Sequence, residues 1–511
     1  MYTKPDTKKI KQALISVYHK DGIDVIANEL VKCGVKLIST GGTYDFIKDL
    51  GLPVSKVEDI TGYPSILGGR VKTLHPKIFG GILSRRDNNT DIAQTKEYEI
   101  PAIDLVIVDL YPFEEYVNAG ASHEDIIEKI DIGGISLIRA AAKNYKDVII
   151  VPCQGGYAPL LELLKKKDGE SDIQDRELFA KYAFLTSSNY DTHIFKYFNK
   201  YEAIPAFNEC VTESHKLRYG ENPHQNAEYF GSKDSIPEQV HGKEISYNNM
   251  LDIEAAIELI SDFEAPTVAV IKHNNACGCA TRNNIFDAWK DALIADPVSA
   301  YGGIIIANST IDSNTASEIN KIFFEVIIAP GYCDTALDIL KEKKNRIILI
   351  NNNTKPSEKK FRSILGGILV QDRDNFVETA ENLKTVTIIA PIDNQIQDLL
   401  FANKLVKHSK SNSIVLVKDN MLLASGIGQT SRVDALKQAI TKAQSFGFEL
   451  KDAVMASDAF FPFPDCVEIA NKAGITAVIH PGGSIRDQLS IDYCNANNVA
   501  MVITGIRHFK H

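Results

Sequence analysis

Tryptophan is nearly absent, one residue in 511, and methionine is scarce at five. Cysteine is thin as well: eight residues, at 33, 153, 210, 277, 279, 333, 466 and 494, with no CxxC pair. That scatter excludes a disulfide framework. No uninterrupted apolar run approaches the roughly 18 residues of a membrane helix. A basic surplus is missing too, since 56 Lys and Arg face 66 Asp and Glu for a formal charge of -10. General nucleic-acid binding needs a basic face and is disfavoured. Small anionic substrates stay open, because a local cation cluster overcomes a diffuse negative background. Met1–Asp6 has no apolar stretch behind its charges, so no signal peptide is expected. A reduced, cytoplasmic enzyme is the expectation.

What is present is ordinary globular material, 44% apolar and 24% charged. At about 150 residues per domain, the length allows three domains, or two with one large. Short apolar runs alternate with helical patterns. Ala13–Val17, Val35–Ser39, Leu105–Val108 and Val148–Val151 read as strands, and Ile23, Ile26, Ala27 and Leu30 recur at helical spacing. The βαβα order predicts a parallel sheet with helices on both sides. Residues 155–205 read as charged helix, with Lys165–Lys167 on a solvated face. A domain boundary is placed near Pro205. Beyond it, strands are expected over 267–271, 303–306, 346–350, 414–417 and 475–479, in two subdomains with a seam near 375–385.

Three anion-friendly clusters mark the N-terminal region. Ser39-Thr40-Gly41-Gly42-Thr43 lies between a strand and a helix, where free N–H groups and the positive dipole end suit a phosphate. A tight capped turn is the bland alternative. Gly68-Gly69-Arg70-Val71-Lys72-Thr73-Leu74-His75-Pro76 can aim two cations and a hydroxyl at one anion, or be an exposed charged loop. Asp131-Ile132-Gly133-Gly134 precedes Arg139 and Lys143, which share a helix face, and read alone this cluster is better taken as a basic helix surface. Together they point to a phosphorylated ligand.

In the C-terminal region Lys272-His273-Asn274-Asn275 follows a buried strand directly, at the sheet end where α/β proteins bind ligands. His suits proton transfer near neutral pH, and Lys can stabilise an oxyanion; a hydrogen-bonded structural histidine is the bland alternative. Cys277-Gly278-Cys279 follows, but C-x-C is a poor zinc spacing and nothing completes a ligand set; small buried cysteines are expected. Further polar loops are 218–225, 411–413, 428–432 and 461–465, the last an aromatic–proline stretch that could hold a flat heterocycle.

These motifs, in this order, resemble the bifunctional purine biosynthesis family, which joins an IMP cyclohydrolase to an aminoimidazole carboxamide ribonucleotide (AICAR) formyltransferase. STGGT, GGRVKTLHP, DIGG and AAKN resemble the first half. LRYGENPHQ, SYNNMLD, KHNNACG, DPVSAYGG, EVIIAPGY, SNS, GQTSR and SDAFFPFPD resemble the second. The resemblance runs essentially end to end. It implies an α/β fold: a methylglyoxal-synthase-like domain with a parallel sheet over 1–205, ending in a helical linker, then two cytidine-deaminase-like subdomains, without the zinc, over 206–511. It implies a homodimer with transferase sites at the interface, 10-formyltetrahydrofolate as cosubstrate and no metal.

Carried over by motif, the resemblance assigns formyl transfer to His273, assisting proton removal, and Lys272, stabilising the oxyanion. Arg218, Tyr219, Gly302, Glu325, Asn412, Arg432 and Arg507 are implied at the nucleotide, with Asp465 and Ser484 at the folate end. For ring closure it implies Lys72, Tyr111, Asp131 and Lys143 as the catalytic group, Lys143 as the proton shuttle. Lys20, Thr40, Gly41, Gly42, Thr43, Arg70 and Thr73 are implied to bind phosphate and ribose. The chain departs from the family pattern at Tyr18-His19, where many members have Ser-Asp, at Asp109, where others have Asn, and at Ala276, where many bacterial members have Pro. These are expected to tune the sites. Two rivals remain: an N-terminal nucleotide sensor, which would need no Lys143 or Tyr111, and a zinc deaminase, whose H-x-E and P-C-x-x-C signature is missing.

Overall fold

Alternate residues of the apolar strands bury against opposite helical layers, as a doubly covered parallel sheet requires. Ile15, Leu37 and Ile107 pack under Ile26 and Leu30 of α1 (Ile23–Lys32), while Leu14, Ile38 and Val106 pack on the other side under Leu137 and Ile138. The computed structural model describes residues 6–200, 203–352, 354 and 356–511. The expectation for Met1–Pro5 lies outside the described residues. The chain divides into two units, Met1–Thr212 and Glu213–His511.

In the first unit, β1 (Gln12–Val17), β2 (Lys36–Ser39), β3 (Val54–Lys56), β4 (Leu105–Asp109) and β5 (Ile149–Val151) form one parallel sheet in the order β3-β2-β1-β4-β5. The short edge strand β3 has no apolar run and escapes the hydropathy pattern. Helix α2 (Gly41–Asp49) follows β2, and α3 (Gly133–Lys143) lies on the face of β4 and β5. The long α4 (Ile173–Phe198) packs against α3. Lys165–Lys167 are exposed at the end of a helix, Tyr157–Lys167, whose other face is buried, as the solvated-face reading expects.

The second unit departs from an all-parallel sheet. Among the described residues its twelve-stranded sheet runs through two halves of matching order. The first half is β6 (Glu238–His241), α5 (Tyr247–Ile260), β7 (Thr267–Lys272), β8 (Asn275–Thr281), then β9 (Ile304–Ala307), β10 (Val326–Ala329) and β11 (Ile347–Ile350). The second is β12 (Lys384–Thr385), α6 (Asp393–Lys407), β13 (Ile414–Lys418), β14 (Met421–Gly426), then β15 (Val454–Ser457), β16 (Ala477–His480) and β17 (Ala500–Ile503). Each half carries an antiparallel hairpin, three strands in parallel pairs and an antiparallel edge strand. The halves meet where β8 pairs β14 through Ala280 and Met421. Helices α5 and α6 cover one continuous core face, from Ile257 to Leu405. The hairpin strands β8 and β14 are hidden in the sequence, because polar turns precede them and Gly and Ser interrupt their apolar residues.

Candidate functional site

In the first unit the carboxyl ends of β1, β2 and β4 open into a cleft of about 830 Å³. Helices α2 and α3 both begin at it, so two helix N-termini with their positive dipole ends converge. Lys20, Thr40 to Thr43, Arg70, Lys72, Thr73, Tyr111 and Asp131 all line it. Residues from five stretches of sequence thus meet in one place.

Local chemistry fixes them. The Thr43 hydroxyl donates to the Val17 carbonyl at 2.9 Å and accepts the Val17 N–H at 3.2 Å, tying α2 to β1. It is therefore structural in this state, while Thr40 meets the Ser16 hydroxyl at 3.1 Å. Gly69 has φ 92°, and a Cβ there would lie 2.8 Å from Lys72 Cε. Only glycine both adopts that backbone easily and leaves Lys72 its place. Lys72 Nζ lies 3.5 Å from where a Gly41 Cβ would sit, over the start of α2. Arg70 pairs with Glu128.

Asp131 accepts the Gly134 N–H at 2.6 Å and so caps α3. Burial pushes its carboxyl up from the ordinary range, against the N–H groups of Gly134 and Tyr111 and the charge of Lys72. Burial lowers the Lys20 amine, which donates to the Val17 and Tyr18 carbonyls.

Lys143 is not brought to this cleft. It is exposed in the last turn of α3. At 1.5 Å per residue, ten residues put its backbone about 15 Å from the helix start. The family resemblance placed it with the catalytic group; helix direction separates it within one chain.

Sequence reasoning missed Lys129. It lines the cleft, and its Nζ lies 5.6 Å, 5.9 Å and 4.4 Å from the ring centroids of Tyr18, Tyr111 and Tyr116. Its place two residues before Asp131 was the available signal. The departures find partners here. The His19 N–H donates to Asp109 at 2.9 Å, and the His19 ring Nδ1 meets the same oxygen at 2.7 Å. Tyr18 faces the cleft and packs edge-on against Tyr111 at 5.7 Å. Ala276 sits partly buried against the core of the second unit.

The second unit gathers Lys272, His273, Gly302 and Glu325 at one sheet end. Lys272 Nζ donates to the Tyr301 carbonyl at 2.5 Å and lies 3.5 Å from a Cβ built on Gly302. Glu325 pairs with Lys243 at 2.5 Å, a partner the sequence did not suggest. His273 is exposed on the β7–β8 turn, and its ring has no hydrogen-bond partner among the described residues. Asn275 accepts the Lys410 N–H at 3.1 Å, which joins this cluster to the loop bearing Asn412. Arg432 donates to Asp458 at 2.8 Å and lies over the Phe509 ring, which Arg507 also covers. Asp465 opens a helix, and the loop with Ser484 adjoins it through Arg486 over Phe463 at 4.6 Å. Arg218 is exposed and Tyr219 half-buried next to a small separate hairpin, the guanidinium 4.7 Å from the Tyr219 ring, and the Tyr219 carbonyl accepts the Tyr247 N–H at the start of α5 at 3.4 Å. Cys279 is buried and burial raises the Cys277 thiol to about 12, as small core cysteines behave. Among the described residues no His, Cys, Asp and Glu group of three or more is placed to hold a metal ion.

The C-terminal tail is pinned beside Arg507. Burial opposes charge on His508, but hydrogen bonds to Asp374 (2.6 Å) and Glu378 (2.8 Å) prevail and raise it to about 9. An imidazole raised on folding stabilises fully below its unfolded value near 6.5, and that contribution is lost as pH rises through the folded value. The stability gap between the protein and His508→Gln is therefore expected to shrink by about 3 kcal/mol between pH 6 and pH 10. Urea unfolding at both pH values checks this; an equal gap at both would contradict it.

Residues 22–136 match the family described as MGS-like domain, and residues 141–442 match the AICARFT/IMPCHase bienzyme family. The chain is 62% identical over 506 residues to the bifunctional purine biosynthesis protein PurH of Bacteroides thetaiotaomicron, covering 99% of this chain and 100% of that one. It is 47% identical over 517 residues to the protein of the same name from Acetivibrio thermocellus, and 46% over 511 residues to that of Aquifex aeolicus. Each covers 98% of this chain and 100% of the relative.

Proposed function

The chain belongs to the AICARFT/IMPCHase bienzyme family, and from that premise we propose how its two halves divide the work. It is a bifunctional enzyme of purine biosynthesis, with AICAR formyltransferase and IMP cyclohydrolase activities and a folate cosubstrate. In our reading residues 1–205 close the ring, residues 206–511 transfer the formyl group, and the donor is 10-formyltetrahydrofolate. The halves of the second unit are read as cytidine-deaminase-like, with a subdomain seam near 375–385. The observation that carries the reading is the cleft itself: two helix starts, Lys72, Tyr111 and Asp131 around one cavity of the first unit, while the second unit carries its own Lys272–His273 turn.

In formyl transfer the aromatic amine of AICAR attacks the formyl carbon of the folate. His273 takes the amine proton, Lys272 stabilises the tetrahedral oxyanion, and the folate nitrogen leaves with a proton. Holding both substrates supplies much of the remaining barrier reduction. Gly302, Glu325, Asn412, Arg432 and Arg507 hold the nucleotide, and Asp465 and Ser484 the folate. In ring closure the carboxamide nitrogen attacks the formyl carbon and water leaves. The helix starts with Thr40, Gly41, Gly42, Arg70 and Thr73 hold the phosphate and ribose. Lys72 stabilises negative charge, while Tyr111 and the half-buried Asp131, which line the same cleft, serve as proton-transfer groups. Neither step uses a metal.

We read the protein as a homodimer with its transferase sites at the interface, Arg218 and Tyr219 binding the nucleotide there. A hairpin arm, β-strands Lys359–Ile364 and Gly367–Asp372, supports the same reading: Leu365, Ile368, Leu369 and Val370 are exposed on it. Leu369→Asp is expected to shift the protein toward monomer and to weaken formyl transfer more than ring closure. Sedimentation with both assays checks this. Among the described residues no helix is long and apolar enough to cross a membrane; substrates this charged do not cross membranes, so we place the reactions in the cytoplasm.

The decisive experiment mixes purified protein with AICAR and 10-formyltetrahydrofolate and follows products by mass. An enzyme-free control with formylated intermediate corrects for unaided closure. Rapid IMP supports both activities. Accumulating intermediate would reduce the first unit to a sensor, and no product from folded protein would overturn the assignment.

A further inference from the structure

We propose that Asp252 is the positioning residue of formyl transfer: its carboxylate, bonded to the Asn274 N–H, sets the turn that aims His273. This rests on the reading of His273 as the proton acceptor. The free imidazole has no side-chain partner of its own among the described residues, so its direction depends on its backbone. That backbone is unusual. Lys272 pairs with Asn275 across a two-residue turn, and His273 and Asn274 both have positive φ, 51° and 64°. Such a turn suits hairpin twist, but outside glycine it needs support from its surroundings.

Asp252, half-buried on α5, supplies that support. Its Oδ1 accepts the Asn274 N–H at 2.6 Å. Asn275 donates to the His273 carbonyl at 2.8 Å from the other side. The next helix turn of α5 is deep in the core, so the carboxylate is held on a rigid element.

The second half of the sheet repeats the device. Asp398 occupies the sixth position of α6, as Asp252 does of α5. It accepts the Asp419 and Asn420 N–H groups, at 3.0 Å and 2.5 Å, in a matching turn with φ 53° and 51°. There the turn carries no imidazole, and Arg282 fills it by donating to the Asp419 carbonyl at 2.6 Å. The fold thus contains its own control: one cap under a reacting group, one under none.

The test uses the full-length protein and measures kcat and KM for formyl transfer, ring closure of supplied intermediate, and thermal unfolding. Asp252→Ala is expected to lower transfer kcat by about 10- to 100-fold, the scale of a misplaced reacting group, with KM for AICAR within about twofold. Asp252→Asn keeps the acceptor oxygen and is expected to recover most of the rate. Asp398→Ala should lower the unfolding temperature with kcat unchanged. If Asp252→Ala does not fold, Asp252→Glu keeps the charge, displaces the oxygen and is expected to lose kcat in its place. A wild-type kcat in the folded variant, or an equal loss in Asp398→Ala, overturns the proposal. His273→Ala is measured alongside: if it transfers normally, the failure lies with the reading of His273 and not with Asp252.

Discussion

Replacing His273 with alanine is expected to slow formyl transfer by about 10²- to 10⁴-fold, the range for loss of a positioned general base. Closure of supplied formylated intermediate should continue at the unmodified rate. The expectation follows from construction. His273 is exposed at the sheet end beside Lys272 and the Gly302 backbone, and its ring bears no structural bond whose loss would unfold the hairpin. The closure cleft is built entirely within the other unit. Assaying the two steps separately on folded protein decides the matter. Loss of both activities would contradict separate sites.

The second large effect is expected from Lys72→Ala: ring closure slower by about 10²- to 10³-fold, the scale of removing one preorganised charge from a developing anion. Formyl transfer should persist, so formylated intermediate accumulates. Lys72 is placed for this by Gly69 beneath its stem and by the start of α2 beside its amine. Lys72→Arg keeps the charge but not the fit, and should recover only part of the rate. Unchanged IMP output from Lys72→Ala would remove it from the mechanism. Lys143 remains our proposal only for an assembled protein in which another copy brings its amine to the cleft. On that proposal Lys143→Ala also accumulates intermediate; unchanged turnover would remove Lys143 and leave proton transfer to Tyr111 and Asp131.

The strands Gln12–Val17 and Leu105–Asp109 were legible because burial on both faces demands an unbroken apolar run. The helix start at Gly41 was legible because a glycine-rich junction after a strand has few other uses. The motifs also identified most of the cleft's residues, since each is a local cluster of cations, hydroxyls and glycines.

Other features are decided by pairing between distant segments, which local periodicity does not encode. The order β3-β2-β1-β4-β5 brings Thr40, Lys72, Tyr111 and Asp131 around one cavity. His19 meets Asp109 only because β1 and β4 are neighbours, so two departures read separately prove to be one pair. The duplicated halves of the second sheet share topology without an evident sequence repeat, because burial constrains apolar character and not identity. Lys143 shows the limit most plainly. Its sequence places it twelve residues from Asp131, but the helix between them is a rigid rod, and only the direction in which that rod packs decides which end faces the cleft.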